Sequence, residues 1–370
     1  MSEIACRACR GTAGAVVLDL GQQPACDYFP ARSDPGPDPV YPLQMWLCST
    51  CGLAQLVADP TVPAEPRGAE PAALVAQAAE AVRRVAAAGL LPVGATVAEY
   101  GSPHGGSWLG TVADRGLKPV AGAEPAGVII DCFGMMHAAD QDAALAERAG
   151  RLSTGGVLLL QYHSLETIIR DGQWNALRHG HYAYYSTTAL TTMLGRHRLV
   201  PRTAWRFDLY GGTVLLAVSA ESADAAGPDA AVRLLLNSEA RVGVRDPAVL
   251  SGLQANVQRR AAGLRDWLAA QQSAGRAVLG YGAASRAVAL LCQAGVDATL
   301  LPAIVDASPA KRGLRMPGTD IPVLDTGALR TAGPVYVVLL VADLLSEVRT
   351  EFPEVEGAGG RWVIADALTS

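Results

Sequence analysis

The apolar positions of this sequence recur with two different periods that alternate along the chain. Residues 71–91 place apolar side chains at helical spacing, and residues 95–100 form a short apolar run before a glycine-bearing turn. Helical and strand-like runs continue to alternate through residue 163. This alternation predicts an α/β fold, with a doubly wound domain built on a parallel sheet.

A second alternation follows a mainly helical stretch at about residues 228–274. Apolar runs begin near residues 277, 301, 335 and 361, and the first of them leads into a glycine turn and an apolar helix. The pattern predicts a second, Rossmann-like domain in the last third of the chain.

Composition and charge argue against a nucleic-acid partner and against a membrane partner. The 370 residues carry a net charge of −5 and show no basic stripe, so no nucleic-acid partner is expected. The longest apolar stretches, such as the one from Pro334, are too short to span a bilayer, and residues 1–11 lack the apolar core of a signal peptide. We therefore expect a cytoplasmic protein with no membrane partner, whose cysteines are metal ligands or bystanders rather than disulfides.

Four cysteines form two matched Cys-x-x-Cys pairs, Cys6 with Cys9 and Cys48 with Cys51. Two such pairs can place four thiolates tetrahedrally around one zinc ion. A redox Cys-x-x-Cys motif is the alternative, but redox motifs rarely come as matched pairs. Because all four ligands are thiols and no position is left open, the zinc is expected to be structural.

The glycine turn of the first α/β domain follows a predicted strand that carries Glu99. Gly101 and Gly105 lie in this turn, where a ligand can approach the backbone at a helix N-terminus. Glu124 ends the next predicted strand and could hold ribose hydroxyls. These four residues are candidates for a nucleoside-type ligand; the alternative is that the glycines serve packing.

The second domain repeats this arrangement with basic residues. The candidates are Gly280, Gly282, Ser285 and Arg286 in the turn "GYGAASR", and Asp306, Lys311, Arg312 and Arg315 after the next strand. Cations at a helix N-terminus suit a diphosphate. A solvated basic loop is the alternative.

The segment "WNALRHGHYAYYS" (174–186) holds two histidines and three tyrosines, in a chain with six histidines and ten tyrosines in all. It can be an aromatic-rich segment that closes a core, or a cluster of proton-transfer groups that faces a pocket. The segment alone does not decide between the two.

The order of these motifs resembles the sugar C-methyltransferase family. "CRAC", "CSTC", the first glycine turn, "GHYAYYS", "GYGAASRAVALL" and "VDASPAKRGLRMPGTDIPV" follow one another as in that family. The resemblance implies a zinc-binding N-terminal domain, a class I methyltransferase-like domain that binds S-adenosylmethionine (SAM), and a C-terminal Rossmann-like domain. It also implies methylation beside the ketone of a nucleotide-linked 4-keto deoxysugar, as in antibiotic sugars.

Aligned without gaps, "RHGHYAYYS" places His181 at the family's catalytic base. An imidazole suits the removal of a proton next to a ketone. The resemblance gives Tyr182, Tyr184 and His179 as further candidates for the catalytic cluster, with His179 in a more structural role. Arg178, a candidate for binding the substrate, replaces a family tyrosine, and Gly180 replaces a family glutamate, which changes the surroundings of the base.

The central domain departs most from the family. Pro103 and His104 replace a polar pair in its glycine turn, and the aromatic stretch that precedes the family's domain is missing. In the family, a helix, a third strand and another helix are expected between the segments that end at Pro125 and begin at Gly127. One βαβ unit needs about 30 residues. Here only Ala126 lies between the two segments. The sequence thus predicts a truncated central domain that lacks much of the adenine pocket.

These inferences give four segments and three hypotheses for function. The segments are a zinc-binding domain at 1–58, a truncated SAM-methyltransferase-like domain at 71–220, a helical connector at 228–274 and a C-terminal domain that binds a nucleotide sugar, of dTDP type, at 275–370. The first hypothesis is a repurposed enzyme in which His181 enolises a keto sugar with little or no use of SAM. The others are a working SAM-dependent C-methyltransferase and a non-catalytic nucleotide-sugar-binding relative.

Overall fold

Three β-sheets organise the chain, and the computed structural model describes residues 3–34, 36–61, 70–101, 106–221 and 227–369 of it. The α/β class predicted from the sequence is confirmed. None of the described helices is both long and apolar enough to cross a membrane.

The first sheet is small and antiparallel. It contains β1 (Gly14–Pro24), β2 (Val40–Cys48) and β3 (Ala54–Leu56), in that order. One Cys-x-x-Cys pair precedes β1 and the other joins β2 to β3. A fourth strand from the middle of the chain completes the sheet beside β3.

The central unit forms the whole of the second sheet. Its elements are α1 (Ala72–Ala87), β4 (Thr96–Tyr100), α2 (Leu109–Ala113), β5 (Lys118–Pro119), β6 (Ala126–Cys132), α3 (Gln141–Arg151), β7 (Leu152–His163), α4 (Leu165–Arg170), β8 (Ala183–Tyr184), α5 (Thr187–Arg196), β9 (Leu199–Phe207) and β10 (Thr213–Ala220). The sheet order is β5-β4-β6-β7-β10-β9, parallel from β5 to β7, with β10 antiparallel to both of its neighbours. Strand β8 leaves this unit and pairs with β3, Ala54 opposite Tyr184.

The edge of the central sheet ends at β5, as the sequence predicts. Residues 120–125 alone connect β5 to β6, and the described residues place no strand beyond β5 at this edge. The predicted strand through Glu124 is wrong, however. Strand β5 ends at Pro119, and the chain turns through Gly122 (φ 56°) so that Glu124 lies exposed in the connection.

The third unit begins with two helices and continues as a parallel sheet. Its elements are α6 (Ala230–Val242), α7 (Pro247–Ser273), β11 (Val278–Tyr281), α8 (Ser285–Ala294), β12 (Ile304–Val305), β13 (Val323–Leu324), α9 (Gly327–Thr331), β14 (Tyr336–Leu339), α10 (Leu345–Glu351), α11 (Pro353–Gly357) and β15 (Arg361–Ile364). The order is β13-β12-β11-β14-β15, with every pair parallel. From β11 the chain adds strands first toward β13 and then, with β14 and β15, on the other side of β11. Such a switch in strand order leaves a crevice at the carboxyl ends of the strands.

The N-terminal sheet packs against the third unit. Buried Leu18 and Leu43 of the sheet share one apolar core with Leu253 of α7 and Val288 of α8. An ion pair adds to this junction, because the guanidinium of Arg315 donates to both carboxylate oxygens of Asp38 at 2.7 and 2.8 Å, and both side chains are buried. Arg315 is thus a junction residue rather than part of a solvated basic loop.

Replacing Arg315 by methionine should destabilise the fold strongly. Burial raises the pKa of Asp38, but the hydrogen bonds and charge of Arg315 outweigh it, and the pKa lies below its usual range. The pair therefore stabilises the fold at neutral pH and loses its effect as the pH falls through the range of carboxyl titration. We expect Arg315→Met to lower the free energy of unfolding by about 3–5 kcal/mol at pH 7, and by less in acid.

Urea denaturation at several pH values measures this cost. The control is Arg312→Met, which removes an exposed arginine three residues away and should change the stability by less than about 0.5 kcal/mol. Equal costs for the two variants would show that the buried pair contributes nothing specific.

Candidate functional site

One cavity of about 300 Å³ lies where the carboxyl ends of the two parallel sheets face each other. Cys132 and His163 end β6 and β7 on one side, and Gly282 and Asp306 follow β11 and β12 on the other. Ligands of open α/β sheets bind at such carboxyl ends. The volume is at the lower end of the range for small-molecule sites.

The segment between Arg178 and Tyr184 forms a third wall of the cavity. It is held by the pairing of β8 with the N-terminal sheet and by contacts to Gly180, whose N–H donates to the Asp59 carboxylate. The Gly180 carbonyl accepts a hydrogen bond from Nδ1 of His137 at 2.8 Å. Gly180 has a φ of 79°, a conformation that a glutamate would adopt only with strain.

Two hydrogen bonds fix the tautomers of the neutral histidine rings at this wall. Arg178 Nε donates to His181 Nε2 at 2.9 Å, and a guanidinium can only donate. Neutral His181 must then carry its proton on Nδ1. The His137 ring lies edge-on to the His181 ring, with 4.5 Å between centroids. Because the Gly180 carbonyl can only accept, Nδ1 is the protonated nitrogen of neutral His137.

Arg286 at the start of α8 lines the same cavity. Its guanidinium makes no hydrogen bond or ion pair with any residue in the described part of the chain, and its Nε is buried. Burial lowers the pKa of Arg286, the charge of Asp366 raises it and that of Arg178 lowers it. Asp366 itself pairs with Arg260 at 3.5 Å. A partly buried cation that has no counter-ion within ion-pair distance among the described residues favours a ligand with negative charge on oxygen at this part of the cavity.

His163 is neutral in this environment. Burial and the charges of Arg286 and Arg178 lower its pKa to about 3, and its Nε2 has no hydrogen-bond partner among the described residues. The cavity thus combines three cationic side chains, Arg178, Arg286 and Lys311, with an uncharged imidazole.

The glycine turn of the third unit lines the opposite side with Gly282 and Ser285, and Lys311 from the segment after β12 lies in the same lining. Lys311 Nζ donates to the Ala283 carbonyl at 2.7 Å and lies 4.6 Å from the centre of the Phe29 ring. Asp306 accepts from the Ala283 and Ser308 N–H groups at 2.7 and 2.8 Å, so its carboxylate holds the turn.

Four other candidate residues lie outside the cavity lining. Arg312 is exposed, and Gly280 is buried inside β11, where a Cβ would meet Ile304 at 2.7 Å. His179 faces the Pro42 carbonyl at 3.3 Å, and burial lowers its pKa. Tyr182 is covered by the guanidinium of Arg7 at 4.7 Å.

The candidates for binding SAM do not converge on the cavity. Glu99 accepts hydrogen bonds from the Ser107 hydroxyl and the Trp108 N–H, both at 2.6 Å, so it caps the start of α2. Gly101 and Glu124 are exposed and do not line the cavity. Gly105, with Pro103 and His104, lies outside the described residues.

The four N-terminal cysteines do converge. Their sulfur atoms all lie within 4.8 Å of one another, with 3.5 Å from Cys6 to Cys51 and 3.6 Å from Cys9 to Cys48. Zinc–sulfur bonds of about 2.3 Å in a tetrahedron put sulfur atoms about 3.8 Å apart. The geometry therefore fits one tetrahedral zinc ion.

Two protein-family models match this chain, one near its N-terminus and one in its C-terminal part. Residues 6–65 match the family described as "Putative zinc binding domain", and residues 208–365 match "C-methyltransferase C-terminal domain". This chain belongs to the C-methyltransferase family. The N-terminal segment is accordingly its zinc-binding domain, and the parallel sheet from β11 to β15 is the core of its C-terminal domain.

A curated member of the C-methyltransferases covers part of the chain. C-methyltransferase NovU of Streptomyces niveus is 23% identical over 233 residues, which are 63% of this chain and 55% of NovU. The chain thus spans little more than half the length of this relative.

Likenesses to solved structures are partial. Magnesium protoporphyrin IX methyltransferase of Synechocystis PCC 6803 gives a TM-score of 0.30 at 10% identity, over 40% of this chain and 84% of that one. N-methyltransferase NodS of Bradyrhizobium japonicum WM9 gives 0.27 at 13% identity, over 40% and 97%. The fold class of this C-methyltransferase family member therefore rests on the topology of its own sheets and not on these likenesses.

Sequence reasoning missed His163 and Asp59. His163 is the last residue of β7, and a polar residue at the carboxyl end of a predicted strand was the signal that could have identified it. Asp59 gave no such signal, because it lies 121 residues from Gly180 in the sequence.

Proposed function

We propose that this chain binds a nucleotide-linked keto sugar and enolises it, with weak or no use of SAM. One observation carries the proposal: His181 and the glycine turn at Gly282 line the same cavity, whereas Glu99, Gly101 and Glu124 do not. The reacting sugar and its diphosphate thus have a common site that the cofactor candidates do not share.

In this proposal the diphosphate lies at the N-terminus of α8. Ser285 and Gly282 offer a hydroxyl and an accessible backbone there, and Lys311 supplies a nearby positive charge. A dTDP-type nucleotide extends away from the central sheet, and the sugar points toward His181. The His181 imidazole takes the proton from the carbon beside the ketone.

The residues present do not fit SAM well. Glu99 near the end of β4 is hydrogen-bonded within the protein, and Glu124 after β5 is exposed. Residues 120–125 leave no room for a further strand and two helices. The flat adenine ring therefore lacks one of its walls.

The zinc ion is proposed to be structural. Its four thiols leave no open coordination position for a substrate. It holds together the turn before β1 and the turn between β2 and β3, and β3 pairs with β8 beside the cavity.

A second candidate function is SAM-dependent C-methylation, which the similarity to NovU favours. The cavity also reaches Trp108 and Gly106, next to the glycine turn of the central sheet. The affinity for SAM distinguishes the two candidates.

We expect SAM to bind at least a hundredfold more weakly than the nucleotide sugar. Losing burial of the adenine ring removes several kcal/mol at ~25 cal/mol per Å², which is two or more powers of ten in affinity. Isothermal titration calorimetry measures both ligands on one preparation, with dTDP as the control for a folded site. Micromolar SAM binding would restore the methyltransferase function, and failure of dTDP to bind would remove the nucleotide-sugar proposal.

A further inference from the structure

The hydrogen bond between Arg178 and His181 has a direct consequence for catalysis. Nε2 of His181 accepts from the guanidinium, and Nδ1 of the neutral ring carries the proton. Neither nitrogen can take a proton in this arrangement. For His181 to act as a base, Arg178 must give up this bond.

The surroundings of Arg178 favour such a change. Arg178 makes no ion pair in the described part of the chain, and the second guanidinium, Arg286, lies in the same cavity and also has no close counter-ion. The carboxylates that act on Arg286 are Asp366, which is paired with Arg260, and Asp343. A hydrogen bond from a guanidinium to an imidazole nitrogen has one ionised partner, whereas a bond to an enolate oxygen has two opposite charges and is the stronger of the two.

We propose that Arg178 moves its hydrogen bond from His181 Nε2 to the ketone oxygen of the bound sugar, where Arg178 and Arg286 together hold the enolate oxygen. The inference rests on the proposed function. One movement then frees the lone pair of the base and polarises the ketone. His163 stays uncharged in the same cavity, so it adds no positive charge to the two guanidinium groups at the oxyanion.

The electron and proton balance is simple. His181 Nε2 takes the proton from the carbon beside the ketone, the C–H electron pair becomes the C=C bond, and the carbonyl π pair moves onto oxygen. In the reverse direction the imidazolium returns a proton that has exchanged with solvent. In D₂O the carbon therefore acquires deuterium, and no oxidant or co-reactant is needed.

The test follows deuterium incorporation into dTDP-4-keto-6-deoxyglucose by NMR, with kcat and KM determined separately. Arg178→Met and Arg286→Met should each lower kcat roughly 100- to 1000-fold, the effect of removing one oxyanion donor, with little change in KM. Arg178→Lys should retain part of the rate, which guards against a simple folding defect. Arg233→Met, an exposed arginine on α6, is the matched control and should behave as wild type.

Each alternative has its own signature. A higher KM with unchanged kcat would mean that the two arginines hold the diphosphate, and the inference would be wrong. A faster Arg178→Met variant would show that Arg178 only blocks the base. If the wild-type protein exchanges and both variants exchange equally well, the inference fails and the proposed function stands. If the wild-type protein binds the sugar without exchange, enolisation itself fails.

Discussion

Replacing His181 by glutamine is expected to reduce deuterium exchange at a bound keto sugar by roughly 100- to 10,000-fold, the range for loss of a general base. Glutamine has a similar length and can still accept the hydrogen bond from Arg178, so the wall of the cavity should remain in place. The affinity for dTDP should stay close to that of wild type, because the glycine turn at Gly282 lies on the opposite side. Exchange is measured by NMR in D₂O and affinity by calorimetry.

A matched variant separates chemistry from general damage. His197→Gln removes a histidine that pairs with Asp142 at 2.9 Å and does not line the cavity. Exchange should be unchanged in this variant. If His181→Gln keeps the wild-type exchange rate, His181 is not the base, and the adjacent His137 becomes the residue to test.

Loss of the zinc site is the second large effect that we expect. Zinc binding to a site of four thiols contributes about 10 kcal/mol or more of free energy in small zinc domains. Cys6→Ser should therefore abolish stoichiometric zinc and unfold the N-terminal sheet ahead of the rest of the chain. Because β3 pairs with β8, exchange at the keto sugar should fall as well, although no zinc ligand lines the cavity.

Elemental analysis and thermal unfolding of the purified variant measure this effect. Cys292→Ala is the control, because Cys292 lies on α8, outside the four-thiol cluster. It should keep one zinc per chain. Freshly purified wild-type protein without stoichiometric metal would contradict the zinc assignment.

Much of the architecture could be predicted because its signals are local. The alternation of apolar runs indicates both parallel sheets, and the spacing of Cys6, Cys9, Cys48 and Cys51 predicts a cluster whose sulfur atoms converge. The short connection before Ala126 predicts the truncated edge, since chain length alone forbids another strand there.

The site was less predictable because it depends on contacts between distant segments. Pairing of β8 with β3 joins Tyr184 to Ala54, and no local pattern indicates that register. Glu99 and Lys311 have residue types suited to ligands, yet both are bonded within the protein. Arg286 lies at a predicted helix start, but its charged neighbours, Arg178 and Asp366, come from other parts of the chain.

Enolisation of a keto sugar in this cavity, without a methyl donor, is the step that most needs a test. The most direct measurement is the mass spectrum of dTDP-4-keto-6-deoxyglucose after incubation with the protein in D₂O, with and without SAM. We expect deuterium in the sugar in both samples and no added methyl group. A product heavier by one methyl group in the sample with SAM, or no deuterium in either sample, would contradict this expectation.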